Sequence, residues 1–434
     1  MKNKTVYIAL SVDVLHHGHI NLINHARKYG KIVAGLITDS AISTQKRIPL
    51  LNFSQRKKIL ENISGISKVI PQNEWEYSKN ILKLKPDYMV HGDDWLTGSD
   101  KYLRKGTIEA LKKVGGKLIE IPHTKNISSH SLKERMYFES TISSNRQAML
   151  QRLLKAKNIC RFLEAHSPLS AIIAEQVFYR NKNGKKLEFD GFWSSSLTDS
   201  TLKGKPDIEV LDINQRLTNI NDIFDVTTKP LIIDIDTGGK IEHLEINLKT
   251  IERSGASAVI MEDKKGLKKN SLFGNSVKQE QENTKEFSKK LLASKKVITN
   301  KLMIIARIES LILGKPLSDA VSRAERYVDS GADGIMIHSK DKSPKEIFSF
   351  AEKFRKKFND IPLVSVPSSY NYVKDKQLEN AGFNIVIYAN HMLRASYPAM
   401  KRVATEILKN GRTFESEKSI MSINKILSLI PGTK

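Results

Sequence analysis

The chain has one cysteine, Cys160, in 434 residues. A lone thiol excludes an intrachain disulfide and any zinc site built from several cysteines. Its apolar setting, Ile159 before it and Phe162-Leu163 after, reads as packing rather than reactivity. Long hydrophobic runs are also missing. No stretch approaches the roughly 18 apolar residues that span a bilayer. The partly apolar start, Met1 to Leu15, is interrupted by Asp13 and lacks a small-residue cleavage site, so no signal peptide is read there. Aromatics are scarce at 7% and do not alternate with basic residues in the manner of a single-strand nucleic-acid platform. Acidic residues are few beside 71 Lys+Arg, which leaves a net charge of +24. The lysines are spread over both halves, so the surplus reads as a solvated surface that steers anionic substrates, not as a nucleic-acid footprint. The expectation is a cytoplasmic chain with no membrane or nucleic-acid partner. Hydrophobic residues at 40% suffice for full cores, and the length favours two domains.

Residues 5–12, 31–37, 88–90 and 117–121 read as strands, with helical periods over 19–29, 54–63 and about 101–113. Strand–helix alternation predicts an open Rossmann-like parallel sheet with helices on both faces, binding ligand at the strand carboxyl ends. The stretch 139–147, ESTISSNRQ, is polar and shows neither period. It sets the expected organisation: domain 1–138, linker 139–150, domain 151–434. In the second domain candidate strands end at Ala165, Trp193, Asp236, Glu262, Arg307, His338, Val366 and Tyr388. Eight strands with helices between them, and polar residues at most strand ends, predict an α/β (β/α)8 barrel of TIM type. Its site is expected at the C-terminal face of the strands.

The turn out of the first strand carries Ser11, Asp13 and His16-His17-Gly18-His19. A helix N-terminus offers unpaired N–H groups to an anion, and Gly18 lets the backbone approach it. Imidazoles at 16 and 19 then face the same phosphate, although surface histidines or a metal pair fit the bare motif equally well. In order along the chain follow Arg56-Lys57, Gly92-Asp93-Asp94-Trp95 and Ile127-Ser128-Ser129. With these, residues 5–135 resemble the small cytidylyltransferases of the glycerol-3-phosphate type. The resemblance implies that His16 and His19 bind and activate the CTP phosphates and that Gly92, Asp94 and Trp95 shape the cytidine pocket. It further implies that Ile127, Ser128 and Ser129 open a phosphate-binding helix and that Lys46 or Arg47 neutralises the departing pyrophosphate. Departures are Leu10, Val12 and His123, which lie near the nucleotide and acceptor pockets.

In the second domain Asp234 and Asp236 stand two apart on what reads as a strand, which points both to one face. Glu262 ends the next strand. Three hard oxygen donors describe a Mg2+ site. Arg307 and His338, ending later strands, suit a phosphoryl group. The run Lys268-Lys269-Asn270-Ser271 behind Glu262 reads as a basic loop able to close over an anion. Together with Gly191-Phe192-Trp193-Ser194-Ser195-Ser196-Leu197, Ala306-Arg307-Ile308-Glu309 and Tyr388-Ala389-Asn390-His391, these motifs make residues 158–400 resemble phosphoenolpyruvate mutase of the isocitrate lyase superfamily. That implies conversion of phosphoenolpyruvate to phosphonopyruvate, with Mg2+ on Asp234, Asp236 and Glu262. It places the substrate carboxylate on Ser195, Ser196 and Leu197 beside Trp193, and the phosphoryl group on Arg307 and His338. Lys268, Asn270 and Ser271 form a gating loop, and Asp207 helps to close it. Lyases of the superfamily carry a catalytic cysteine in this loop. Here it reads Lys264-Lys265-Gly266-Leu267-Lys268, so that chemistry is not expected. Another departure is Gly239-Lys240, where many relatives have Tyr-Gly. Phosphonopyruvate hydrolase is the alternative. The resemblance also implies a homo-oligomer, dimer or tetramer, and a separate decarboxylase or aminotransferase acting downstream.

Overall fold

The computed structural model describes residues 4–45, 47–96, 101–122, 142–181, 184, 186–266, 268–299 and 301–430. Five parallel strands form the first sheet: β1 (Thr5–Leu10), β2 (Lys31–Ile37), β3 (Ile66–Gln72), β4 (Tyr88–Gly92) and β5 (Lys117–Ile121), in the order β3-β2-β1-β4-β5. The apolar runs of β1 and β2 are buried because helices cover both faces. The strand order reverses between β1 and β4, so the turn after β1 and the end of β4 border the crevice where such sheets bind ligands. The edge strand β3 and the Ser78–Leu84 helix escape the sequence pattern. Lys68, Pro71 and Gln72 in β3 break up its apolar content.

The second domain holds β6 (Cys160–Glu164), a hairpin of β7 (Phe178–Arg180) and β8 (Lys186–Glu188), then β9 (Gly191–Ser194), β10 (Leu231–Asp234) and β11 (Ala258–Glu262). A ribbon of β12 (Lys264–Lys265) and β13 (Glu280–Gln281) follows, then β14 (Met303–Ile308), β15 (Gly334–Ile337), β16 (Leu363–Ser365) and β17 (Ile385–Tyr388). Strands β6, β9, β10, β11, β14, β15, β16 and β17 close into a parallel barrel. Its interior is filled by Phe162, Ile232, Ile260, Ile305, Met336, Val364 and Ile387, and Cys160 is one of these packed residues. Outward-facing apolar residues such as Phe192, Val259 and Ile304 pack instead under the helical ring.

Two expectations need correction. The stretch taken as a linker without helical period contains the start of a helix, Ser143–Ala156. Residues 139–141 lie outside the described residues. The period was hidden because two of the buried positions are polar. Arg146 donates to the Phe224 carbonyl (3.0 Å), and Gln147 donates to the Glu252 carbonyl. Both acceptors precede strands, so the helix seats at the N-terminal end of the barrel, with Leu150, Leu153 and Ala156 in the interior cluster. Second, β10 ends at Asp234, and Asp236 sits in a turn at φ 54°. The turn, not the two-residue pleat, carries Asp236 toward its partners. Among the described residues no helix is long and apolar enough to cross a membrane.

Candidate active site

Strand register builds the barrel site. Glu262 pairs with Arg307 across β11 and β14, and Ile308 pairs with Ile337, which sets His338 alongside. A cavity of about 60 Å³ lies at these strand ends, lined by Trp193, Ser195, Ser196, Leu197, Asp207, Asp234, Lys268, Asn270, Ser271, Arg307 and His338. The residues that the sequence nominated from separate motifs thus meet at one place.

The loop between β12 and β13 is clasped shut. Lys268 Nζ donates to Ser196 Oγ (2.5 Å), to Asp207 Oδ1 (3.1 Å) and to Asp236 Oδ1. Asn270 Nδ2 donates to Asp207 Oδ2 (3.0 Å), and Ser271 Oγ donates to Glu309 Oε2 (2.5 Å). Asp234 accepts from Ser196 Oγ (3.1 Å) and from the Asp236 N–H (3.0 Å). Burial opposes the charge on Lys268, yet Asp236, Asp234, Glu262 and Asp207 outweigh it and hold the ammonium firmly protonated. Burial likewise acts against ionised Asp234, but Lys268, Arg307 and Arg216 leave it lowered. For Asp236 and Glu262 burial wins, and Glu262 is pushed up to about 7.

Among the described residues no three acidic or imidazole side chains close into a metal-holding group. The expected triad of Asp234, Asp236 and Glu262 is arranged around the Lys268 ammonium instead. The donor set still suits a divalent cation. Both oxygens of fully buried Glu262 lack a hydrogen bond, and a monocation already stands among the carboxylates.

Arg307 is fixed by Glu309, to which the sequence assigned no role, and by Ser271 and His338, which it nominated. Its Nε donates to Glu309 Oε1 (2.6 Å), and Nη2 donates to Ser271 Oγ (2.6 Å) and His338 Nδ1 (3.0 Å). The same Nδ1 lies 3.3 Å from Glu309 Oε1, so the ring is set between the guanidinium and its carboxylate partner. Burial, then Arg307, lowers His338 and keeps it neutral. Lys264 Nζ reaches Ser271 Oγ (2.6 Å) and Glu309 (3.3 Å). Arg216, buried in a helix, donates to Asp199 (2.8 Å) and to the Asp234 carbonyl. Glu309 stands in the Ala306–Glu309 motif, but nothing in the sequence marks its role or Arg216. Behind Asp236 lies a larger cavity of about 350 Å³, lined by Glu209, Asn214, His243 and Asn247. Gly239, at φ 65° with open space where a Cβ would be, borders it.

At the N-terminal crevice His16 caps the His17–Ala26 helix. Its Nδ1 accepts the Gly18 N–H (3.2 Å), while His19 Nδ1 accepts the His16 N–H (3.3 Å), and the rings lie 3.9 Å apart. Both therefore carry their proton on Nε2. Val12, just before, is held at φ 45°, a strained angle for a β-branched residue. Asp13 Oδ1 accepts the Leu50 N–H (2.6 Å), and the Ser11 carbonyl accepts from buried Arg56. Gly92 ends β4, and Asp94 is exposed beyond it. Trp95 is a core residue, stacked on His91 at 3.7 Å and donating to Glu120 (2.7 Å). Arg47 pairs with Glu175 of the barrel domain. Lys46, His123, Ile127, Ser128 and Ser129 lie outside the described residues.

Burial, then the charge of His16, lowers His19 to about 4 from an ordinary 6.5. Between those values the unfolded chain binds a proton that the folded one refuses, so stability falls as pH drops through the window. Thermal unfolding followed from pH 7 to 4 should show this acid loss, and His19→Gln should reduce it. An unchanged acid branch in the variant would refute the assignment.

Residues 150–408 match the phosphoenolpyruvate phosphomutase family, and residues 11–135 match the cytidylyltransferase-like family. The chain belongs to the phosphoenolpyruvate phosphomutase family. It also carries an N-terminal cytidylyltransferase-like domain. It is 33% identical over 283 residues to a phosphonopyruvate hydrolase of Variovorax sp. (strain Pal2), covering 64% of this chain and 93% of the relative. To a phosphoenolpyruvate phosphomutase of Tetrahymena pyriformis it is 31% identical over 303 residues, covering 69% and 95%. Its first domain is 32% identical over 126 residues to glycerol-3-phosphate cytidylyltransferase of Bacillus subtilis (strain 168), covering 29% of this chain and 90% of that enzyme. The barrel of this phosphomutase-family chain resembles the crystal structure of a phosphomutase from Streptomyces platensis subsp. rosaceus (TM-score 0.59, 34% identity, covering 65% of this chain and 94% of that one). It also resembles a phosphonopyruvate hydrolase solved with oxalate and Mg2+ (TM-score 0.56, 31% identity, covering 67% and 94%).

Proposed function

We propose that the barrel isomerises phosphoenolpyruvate to 3-phosphonopyruvate. The phosphorus–oxygen bond to the enolate breaks, the enolate oxygen becomes the ketone, and phosphorus bonds C3. The observation that carries this reading is the clasped loop. Lys268, Asn270 and Ser271 are each bonded to barrel groups directly over the site, which keeps water from a phosphoryl group in transit. A loose transition state of this kind needs charge stabilisation and positioning rather than a protein nucleophile. Arg307 offers a fixed cation and His338 an imidazole N–H to the phosphoryl oxygens. Ser195, Ser196 and Leu197 lie where backbone N–H groups can hold the carboxylate, with Trp193 as a wall. Asp234, Asp236 and Glu262 would hold Mg2+, which supplies Lewis-acid stabilisation of enolate and phosphoryl oxygens when bound.

The hydrolase relative marks the second reading, in which water takes the phosphoryl group. Phosphorus NMR of the protein with phosphonopyruvate and Mg2+ separates the two. Appearance of phosphoenolpyruvate is expected, and inorganic phosphate without it would replace mutase by hydrolase.

For the first domain we propose CMP transfer from CTP to a phosphonate or alditol phosphate, with His16 and His19 at the triphosphate, Asp13 nearby, and Lys46 or Arg47 neutralising the departing pyrophosphate. Gly92, Asp94 and Trp95 would frame the base, and Ile127, Ser128 and Ser129 a second phosphate contact. Pyrophosphate release from CTP across a panel of such acceptors tests it, and His16→Ala matching wild type would refute it. The barrel's product must be drawn off by a separate decarboxylase or aminotransferase. Self-association fits the His391–Asn410 helix, which buries none of its residues and exposes Tyr397, Met400 and Leu408.

A further inference from the structure

The loop that precedes the Phe53–Glu61 helix is anchored at both ends of a span between the two domains. On the side of the crevice, the Leu50 N–H is held by Asp13 Oδ1, in the same turn that carries His16. Arg56 of the first domain also holds the Leu51 carbonyl (3.1 Å), and the anchors of residues 47–50 on the other side come from the barrel domain. Arg152, on the Ser143–Ala156 helix, donates through Nη1 to the Leu50 carbonyl (2.8 Å) and through Nη2 to the Pro49 carbonyl. Ile48 is buried in the cluster that holds Leu150, Leu153 and Ala156 of that helix. Arg47 is paired with Glu175, whose Oε1 also accepts from Thr228 (2.8 Å). Just ahead, Ser43 Oγ donates to the Ser40 carbonyl (2.7 Å) and lies 3.4 Å from the Ala156 carbonyl.

We propose that Arg152 is a positioning residue for the nucleotide site: the barrel's N-terminal helix sets the stretch from Arg47 to Leu50, so the first domain is complete only when joined to the barrel. This rests on the CTP reading above. A guanidinium that bridges two successive carbonyls fixes both the height and the tilt of the loop. The loop backbone in turn fixes Leu50 against Asp13. Two domains that merely shared a chain would not need a cation from one to order the backbone of the other. The coupling runs through the end of the barrel opposite the Arg307 site, so it concerns assembly of the nucleotide site and not the chemistry in the barrel.

The test uses the full chain. CTP binding is measured by calorimetry on wild type, R152A and R152K, with far-UV circular dichroism to verify folding and timed trypsin cleavage after Lys46 and Arg47. R152A should weaken CTP about tenfold, the loss of two charge-assisted hydrogen bonds in a partly solvated setting, and should speed the tryptic cut. R152K should fall between, because an ammonium can serve one carbonyl but does not bridge two as a fork. CTP affinity and cleavage at wild-type values in R152A would overturn the inference. If R152A does not fold, R152K decides alone: weaker CTP and a faster cut support the inference, and wild-type values on both overturn it. If wild type itself does not bind CTP, the nucleotide reading fails and the inference with it, whereas binding by wild type with equal binding by R152A removes only the inference.

Discussion

Arg307→Ala is expected to cut barrel turnover by about a thousandfold, the scale of losing a preorganised charge from a dry site. It should also destabilise the protein by about 3–5 kcal/mol, as breaking a buried ion pair does. The guanidinium is the cation on which several buried groups depend. It bonds Glu309 at 2.6 Å, lies 3.3 Å from Glu262, and holds Ser271 and His338. Without it Glu309, whose carboxylate is otherwise held well below its usual range mainly by Arg307 and Lys264 against the effect of burial, loses its strongest partner. Ser271 is loosened as well, so the clasp over the site opens. Arg307→Lys separates the two effects. It keeps a charge for Glu309 and should retain most of the stability, but it lacks the fork that spans Glu309, Ser271 and His338, and should remain slow. Denaturant unfolding and phosphorus NMR turnover measure the two quantities. Turnover within tenfold of wild type in Arg307→Ala would remove Arg307 from the reaction.

That dependence on partners far along the chain marks what could and could not be read from the sequence. Barrel strand ends were legible to within two residues, because strands buried on both faces are apolar runs that stop at a polar residue. Ala258–Glu262 and Ile385–Tyr388 are examples. The residues at those ends could be nominated because the fold gathers them at one face. What brings them into register was hidden. Asp236 read as a second strand position, but a turn at positive φ directs it. Glu309 looked like one more polar residue after Arg307, since its contact with Ser271 spans 38 positions. Buried Arg146 and Gln147 disguised a helix as a linker, because a polar side chain that finds a carbonyl inside a protein breaks the pattern on which helix reading depends. Trp95 reads as part of a base pocket, and its stacking on His91 is not visible in the sequence.

Lys268→Met should abolish most turnover while tightening the grip on a divalent cation, two effects that rarely go together. In this structure the ammonium is bonded to Asp207, Asp236 and Ser196, and it feels the charge of Asp234 and Glu262. It therefore occupies the centre of the carboxylates proposed for Mg2+. A cation that enters must first displace it, so the resting loop and the cation compete for the same negative field. Methionine fills similar volume without charge. The buried carboxylates then repel one another unless something neutralises them, so the substrate-free variant should melt lower than wild type and gain more from added Mg2+. Mn2+ affinity, read by water-proton relaxation without substrate, should rise about tenfold, equivalent to removing a competing interaction worth roughly 1.4 kcal/mol. Turnover should still fall about a hundredfold or more, because the bond to Asp207, which a cation on Asp236 leaves open to Lys268, is lost and water gains access during transfer. Mn2+ affinity equal to or weaker than wild type would show that Lys268 and the cation do not share a place. The closed loop would then be a lid over the metal site, not a rival for it.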